Sequence, residues 1–107
     1  MATNKVDFSN AVIVIDMIGG KWDIEIISAL FSGTKRFSEI LLSVRGIQRK
    51  VLTDRLQHLE QHGIIYRKKY PIVPPRVDYS LTEVGRSLKP ILTQLNEWGK
   101  EYRRSTL

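Results

Sequence analysis

Residues Gly46–Gly63 read GIQRKVLTDRLQHLEQHG, and Ile64–Tyr79 continue as IIYRKKYPIVPPRVDY. In the first half, Val51, Leu52, Leu56 and Leu59 recur at helical spacing, which predicts a helix over about 48–61 with one apolar stripe. His62-Gly63 ends it, because glycine takes the left-handed conformation that closes a helix. The second half predicts two strands, Ile64–Tyr70 and Arg76–Leu81. Pro71, Pro74 and Pro75 between them cannot join a ladder and must form the loop.

Charge is concentrated in the same stretch. The chain of 107 residues carries a formal net charge of +6, with a pI of about 9.8. Residues 35–76 hold ten Lys or Arg against three acids, whereas 1–34 hold two against four and 77–107 five against four. A local excess of this kind favours an anionic partner. A basic helix followed by a basic hairpin is the layout of a winged helix-turn-helix, which reads double-stranded DNA with its second helix in the major groove. The plainer reading is a solvated basic surface, with the hairpin charges blunting an edge strand.

Burial of the apolar stripe leaves Gln48, Arg49, Lys50, Thr53 and Gln57 facing outward. Arg49 or Lys50 can donate to guanine, Gln48 can pair with adenine, and Thr53 can meet a thymine methyl or a phosphate. Asp54 is the awkward neighbour: it can accept from cytosine, pair with Lys50 or Arg49, or repel a phosphate. The wing carries Arg67, Lys68, Lys69 and Arg76, and Arg76 beside the Pro-Pro tip can enter a narrow minor groove.

Elsewhere the pattern predicts a mainly α protein with one small β-hairpin, an α+β fold of one domain spanning 1–107. Met1–Lys5 is polar and expected to fray. Asp7 or Ser9 can cap a first helix that stops at Gly19-Gly20. A second helix starts near Lys21-Trp22, with Asp23 and Glu25 suited to its positive end, and stops at Ser32-Gly33-Thr34. Lys35–Phe37 is a candidate short strand. Ser38 caps or begins a third helix whose inward face is Ile40, Leu41 and Val44. Thr82 caps a last helix, running through Val84, Leu88, Ile91, Leu92, Leu95, Trp98 and Tyr102, which Pro90 kinks or divides.

Several chemistries are excluded or lack a basis. With no cysteine, disulfides and thiolate chemistry are impossible. No apolar run approaches the roughly 18 residues that span a bilayer, and Ala11–Ile15 is too short for a signal-peptide core. A cytoplasmic protein without membrane contact is expected. His58 and His62 are spaced to share a helix face, but a firm metal site needs a third ligand, so no metal or other cofactor is expected. No catalytic constellation stands out, and an enzyme is not expected.

Five segments carry a resemblance over roughly residues 9–99. They are Ile18-Gly19-Gly20-Lys21-Trp22, Arg36-Phe37-Ser38-Glu39-Ile40, Lys50-Val51-Leu52-Thr53-x-Arg55-Leu56, Tyr70-Pro71-x-Val73-Pro74-Pro75-Arg76-Val77-x-Tyr79 and Ser80-Leu81-Thr82-Glu83-x-Gly85. In these the chain resembles the HxlR-type winged-helix regulators, bacterial relatives of the MarR group. The resemblance implies a homodimer, most simply a repressor on a two-fold operator, built from the first and last helices. Val12, Ile15, Leu88, Leu92, Leu95, Trp98 and Tyr102 are the candidate seam. The candidate DNA-binding set is Arg36, Ser38, Gln48, Arg49, Lys50, Thr53, Arg55, Lys68, Lys69 and Arg76. Gln48, Arg49 and Asp54 stand where the family more usually has Ser, Gln and Gln. Many members sense oxidants through a cysteine ahead of the first helix; here Ser9 holds that place. The seam also leaves room for a small-molecule effector. The competing reading is a winged-helix protein-interaction module without DNA binding.

Overall fold

A computed structural model describes residues 6–106; the expected fraying of Met1–Lys5 lies outside them. The element order is α1 (Ser9–Ile18), α2 (Asp23–Leu30), α3 (Phe37–Ser43), α4 (Arg49–Gln61), β1 (Ile65–Tyr70), β2 (Arg76–Leu81), α5 (Glu83–Arg86) and α6 (Lys89–Thr106). This is the winged helix-turn-helix expected from the sequence. α3, the turn at Arg45–Ile47 and α4 form the helix-turn-helix, and β1 and β2 pair antiparallel as the wing.

One cluster of aliphatic side chains holds these elements together. Ile26, Ile27 and Leu30 from α2 meet Ile40 and Val44 from the α3 region, Leu52, Leu56 and Leu59 from α4, and Ile64, Ile65 and Leu81 from the hairpin. Each such side chain contributes about 1.5–3 kcal/mol relative to exposure. The periodicity that predicts α4 is therefore the periodicity that fixes its orientation on the core.

Local chemistry sets the boundaries. Asp7 Oδ1 accepts the Ser9 backbone N–H at 2.9 Å, and that bond draws the Asp7 carboxyl below its ordinary range. α1 ends at Gly19, whose φ of −85° is open to any residue; the position is glycine because a Cβ there would strike the Ile15 carbonyl. Gly63, with φ of +71°, is the left-handed terminator of α4 expected from the sequence. At the other side of the hairpin, the Thr82 hydroxyl accepts the Gly85 N–H at 3.0 Å and donates to the Gly63 carbonyl at 2.6 Å. One side chain thus caps α5 and ties it to the end of α4.

Two expectations change, and a third is narrowed to one of its alternatives. The short strand at Lys35–Phe37 is a single bridge, Lys35 to Tyr79. Ser38 neither caps nor opens α3, which begins at Phe37; Glu39 Oε1 accepts the Arg36 N–H at 2.8 Å instead. The last helix is divided, as one of the two outcomes for Pro90 anticipated. Pro90 lacks an N–H and its ring would clash with the carbonyl four residues earlier, so it sits in the first turn of α6, where a missing donor costs nothing.

α6 departs from the core after its first turn. Among its 18 residues only Leu92 is buried, and at about 1.5 Å per residue the helix is about 27 Å long. Among the described residues no helix is long and apolar enough to cross a membrane.

Candidate nucleic-acid interface

α4 presents its polar face as its apolar stripe requires. Gln48, Arg49, Lys50, Thr53, Asp54 and Gln57 are all exposed. Lys50 Nζ lies 3.3 Å from Asp54 Oδ1, with side-chain exposures of 83% and 53%. Of the three roles open to Asp54, this structure has it paired with Lys50. An exposed pair of this kind is weak, about 0.3–0.5 kcal/mol, so a phosphate or base can displace the carboxylate. The Arg49 guanidinium lies 5.9 Å from the Phe37 ring centroid, which links the start of α4 to the start of α3. Thr53 Oγ1 donates to the Arg49 carbonyl at 2.9 Å. Its one hydroxyl proton is therefore used within the helix, and its methyl and lone pairs remain.

Arg55 departs from the rest of the set. Its Nε and Nη2 donate to Asp23 Oδ1 and Oδ2 at 2.8 and 2.9 Å, and Asp23 is fully buried. The bond to Asp23 is the main reason the guanidinium is held above its ordinary pKa. Arg55 is not a free basic group on the reading face; it fastens α4 to the start of α2. The sequence reading placed Asp23 only as an acid at a helix start.

The wing sorts its charges by strand alternation. Lys68 faces Asp78 across the ladder and Tyr70 faces Arg76, while Arg67 pairs with Tyr79 and Lys69 with Val77. Lys68 and Arg76 therefore share one face of the ribbon, and Arg67 and Lys69 the other. Lys68 Nζ and the Arg76 guanidinium lie 4.9 and 5.4 Å from the Tyr70 ring centroid. Arg76 also donates from Nε and Nη2 to Asp78 at 3.0 and 3.1 Å. Those bonds hold the Asp78 carboxyl below its ordinary range, helped by the nearby charge of Arg36. Arg36, at the start of α3, thus stands beside the wing. Asp78 is the residue of this cluster that the sequence reading passed over, although Arg-x-Asp in a strand puts both side chains on one face. Ile72 and Val73 are exposed at the tip, beyond these charges.

The candidate seam residues divide. Val12 and Ile15 on α1 are exposed, as are Leu95, Trp98 and Tyr102 on α6, at 51%, 69% and 54%. Leu88 and Leu92, expected with them, are 6% and 9% exposed and lie in this chain's own core. The turn Ser87–Leu88 ahead of α6 rotates Leu88 inward. Ile91, at 50%, joins the outer stripe instead. His58 is a tie rather than a ligand: its Nε2–H donates to the Met17 carbonyl at 2.8 Å. Among the described residues no group of three or more potential ligands is placed to hold a metal.

Comparison with known proteins agrees with this geometry. The model of the HxlR-like helix-turn-helix family matches residues 17–106. An HTH-type transcriptional regulator of Methanothermobacter thermautotrophicus is 48% identical over 90 residues, 84% of this chain and 69% of that one. A transcriptional regulator of the MarR family from Enterococcus faecalis superposes with a TM-score of 0.84 at 35% identity, covering 97% of this chain and 94% of that chain. The redox regulator HypR in its reduced form superposes with a TM-score of 0.82 at 43% identity, covering 89% and 94%. The chain belongs to the HxlR-like helix-turn-helix family: it is a transcriptional regulator built on a DNA-binding helix-turn-helix, and its relatives are regulators rather than enzymes.

Proposed function

We propose that residues 1–107 act in the cytoplasm as one winged-helix domain, that two copies pair, and that the dimer represses by occupying a two-fold operator. The observation that carries the DNA part is the exposed basic start of α4, Arg49 and Lys50, flanked by Arg36 and by the wing pair Lys68 and Arg76. Arg49 and Lys50 read base edges; Gln48 stands beside them, and Thr53 offers a methyl to thymine. Arg36, Lys68 and Arg76 meet the backbone and the adjoining groove. Ser38, exposed in the first turn of α3, joins them; Lys69 lies on the other face of the ribbon, and Arg55 acts through the position of α4.

The dimer part rests on α1 and α6. α1 exposes Val12, Ile13 and Ile15, with Phe8 exposed just ahead of it, too many apolar residues for a helix that water surrounds. The outer stripe of α6, with Trp98 and Tyr102 stacked at 5.5 Å, is the matching uncovered surface. Without cysteine the protein answers no thiol signal; a small-molecule effector, if one acts, does so without that chemistry.

Fluorescence anisotropy on DNA upstream of the protein's own gene, at several salt concentrations and against a scrambled duplex, tests the reading. About four phosphate contacts per subunit give a salt slope near −7 for the dimer. Equal, salt-insensitive binding to both duplexes would overturn it in favour of a protein-interaction module.

A further inference from the structure

Gly99 lies in the interior of α6, where only proline is a poorer helix former. Each of the other six glycines has a reason within the chain. Gly33, Gly46 and Gly63 adopt positive φ. A Cβ at Gly19 or Gly85 would strike the carbonyl of Ile15 or Ile64, and one at Gly20 would lie 2.7 Å from the Asp23 carboxylate. Gly99 adopts no positive φ, and a Cβ there meets no atom of the described residues within 4 Å. Among the described residues nothing requires its small size.

The surroundings point to what does. Gly99 lines a groove of about 630 Å³ together with Ile24, Leu95, Lys100 and Arg103. On the other flank of Leu95 a second groove is lined by Ile91, Glu97, Trp98 and Glu101. Between the two runs a stripe at 91, 95, 98 and 102, spaced by four, three and four, which is the seam of a coiled-coil helix. Its largest members, Trp98 and Tyr102, stack at 5.5 Å with an interplanar angle of 11° and form an exposed aromatic ridge. The surface therefore has a ridge beside a notch, with acids on the ridge side and bases on the notch side. A two-fold axis sets residue i of one subunit against j of the other and j against i. Ridge then meets notch twice.

We propose that Gly99 is a notch that receives the Trp98–Tyr102 ridge of a second copy of this chain, so that the missing side chain sets how closely the two α6 helices approach. This rests on the homodimer reading above.

Sedimentation equilibrium of the full chain, run as a dilution series with circular dichroism on each sample, tests it. Gly99→Ala raises the dimer Kd by about tenfold or more while its helix content is kept, since alanine is the better helix former and meets no atom of the described residues. Gly99→Leu abolishes the dimer and leaves a folded monomer. In the Gly99→Ala background, Trp98→Ala costs less than it does in the natural chain, because a smaller ridge relieves the filled notch. A natural chain that is dimeric, is split by Leu95→Glu, and keeps its Kd within about twofold in both Gly99 variants would overturn the notch and leave the dimer standing. A natural chain that is monomeric at every concentration would overturn both. A Gly99→Leu chain that fails to fold also counts against the notch, because open space at this position predicts that the monomer tolerates it.

Discussion

The Asp23 carboxylate and the Arg55 guanidinium meet in a two-pronged pair, 2.8 Å from Nε to Oδ1 and 2.9 Å from Nη2 to Oδ2. Thirty-two residues separate them along the chain. Asp23 also accepts the Gly20 N–H at 2.9 Å, so a fully buried carboxylate has three donors. The pair joins the first turn of α2 to the middle of the reading helix. Removing one partner leaves the other charge desolvated, which costs about 3–5 kcal/mol. Arg55→Ala is therefore expected to lower the unfolding free energy by about that much in urea titrations, and Asp23→Ala by less, because the Arg55 side chain is 28% exposed and can reach water. Arg55→Lys recovers only part of it, because an ammonium lacks the planar fork. The salt slope of DNA binding stays unchanged in Arg55→Ala; a slope shallower by about one per subunit would make Arg55 a phosphate contact after all.

Gly20 belongs to the same device. A Cβ there would lie 2.7 Å from Asp23 Oδ2 and 3.0 Å from Arg55 Nη2. Asp23 is short and buried and has no room to retreat, so Gly20→Ala is expected to destabilise by about 1–3 kcal/mol. Since the loss arises by prising the pair apart, it overlaps with the loss from Asp23→Ala. The double variant should be more stable than the two single losses together imply. Strict additivity in the same urea titrations would mean that Gly20 matters for another reason.

How far these features are legible in the sequence depends on the range of the interaction. α4, Gly63 and the Thr82 cap announce themselves because periodicity, left-handed glycine and capping act within a few residues. Arg55 was read only as a DNA contact, although, three residues after Leu52 and one before Leu56, it stands at the edge of the buried stripe. Its pairing with Asp23 was not legible, because nothing local links positions 23 and 55. Leu88 and Leu92 continue the helical spacing of Leu95, and only the break before Pro90 assigns them to the core. Lys68 and Lys69 read as one basic run, whereas strand alternation sends them to opposite faces.

On the reading face, Arg49→Ala or Lys50→Ala should each lower operator affinity by about 1–3 kcal/mol if the residue pairs with a base. Asp54→Asn is expected to act in the opposite direction. It frees Lys50 from the 3.3 Å contact and removes a negative charge from the DNA side, so general affinity rises and discrimination against a scrambled duplex falls. Anisotropy titrations on both duplexes check the pair of effects. Weaker binding by Asp54→Asn would show that the carboxylate itself reads a base, as an acceptor from cytosine can.

The wing should report on acid. Asp78 is held below its ordinary pKa first by its hydrogen bonds from Arg76, and the unfolded chain titrates near about 3.9. A carboxylate lowered on folding stabilises the native state above the unfolded value, and that contribution is lost as pH falls through the lower, folded value. The loss therefore lies below about pH 4. Asp78→Asn removes this part of the acid dependence and frees Arg76. Urea midpoints of the two chains, measured down the acid limb, should converge as pH falls. A constant gap across that range would mean that the Arg76–Asp78 pair adds no pH-dependent stability.

Leu92 and Leu95 lie one turn apart on α6 and should fail differently. Leu92 is packed into the chain's own core, while Leu95 is half exposed beside Trp98. Leu92→Ala opens a cavity and is expected to cost about 2–5 kcal/mol of folding stability. Once folded, such a chain should still pair. Leu95→Glu removes little from the isolated fold but sets a charge in the middle of the proposed seam, where a like charge faces it across the two-fold axis. It should yield folded monomers by sedimentation, with the helical content retained. DNA affinity would then fall to that of a single half-site, because the second domain is no longer held at effective concentration. A Leu95→Glu chain that remains dimeric would move the seam away from α6, and α1, with Val12 and Ile15 still exposed, would have to supply it alone.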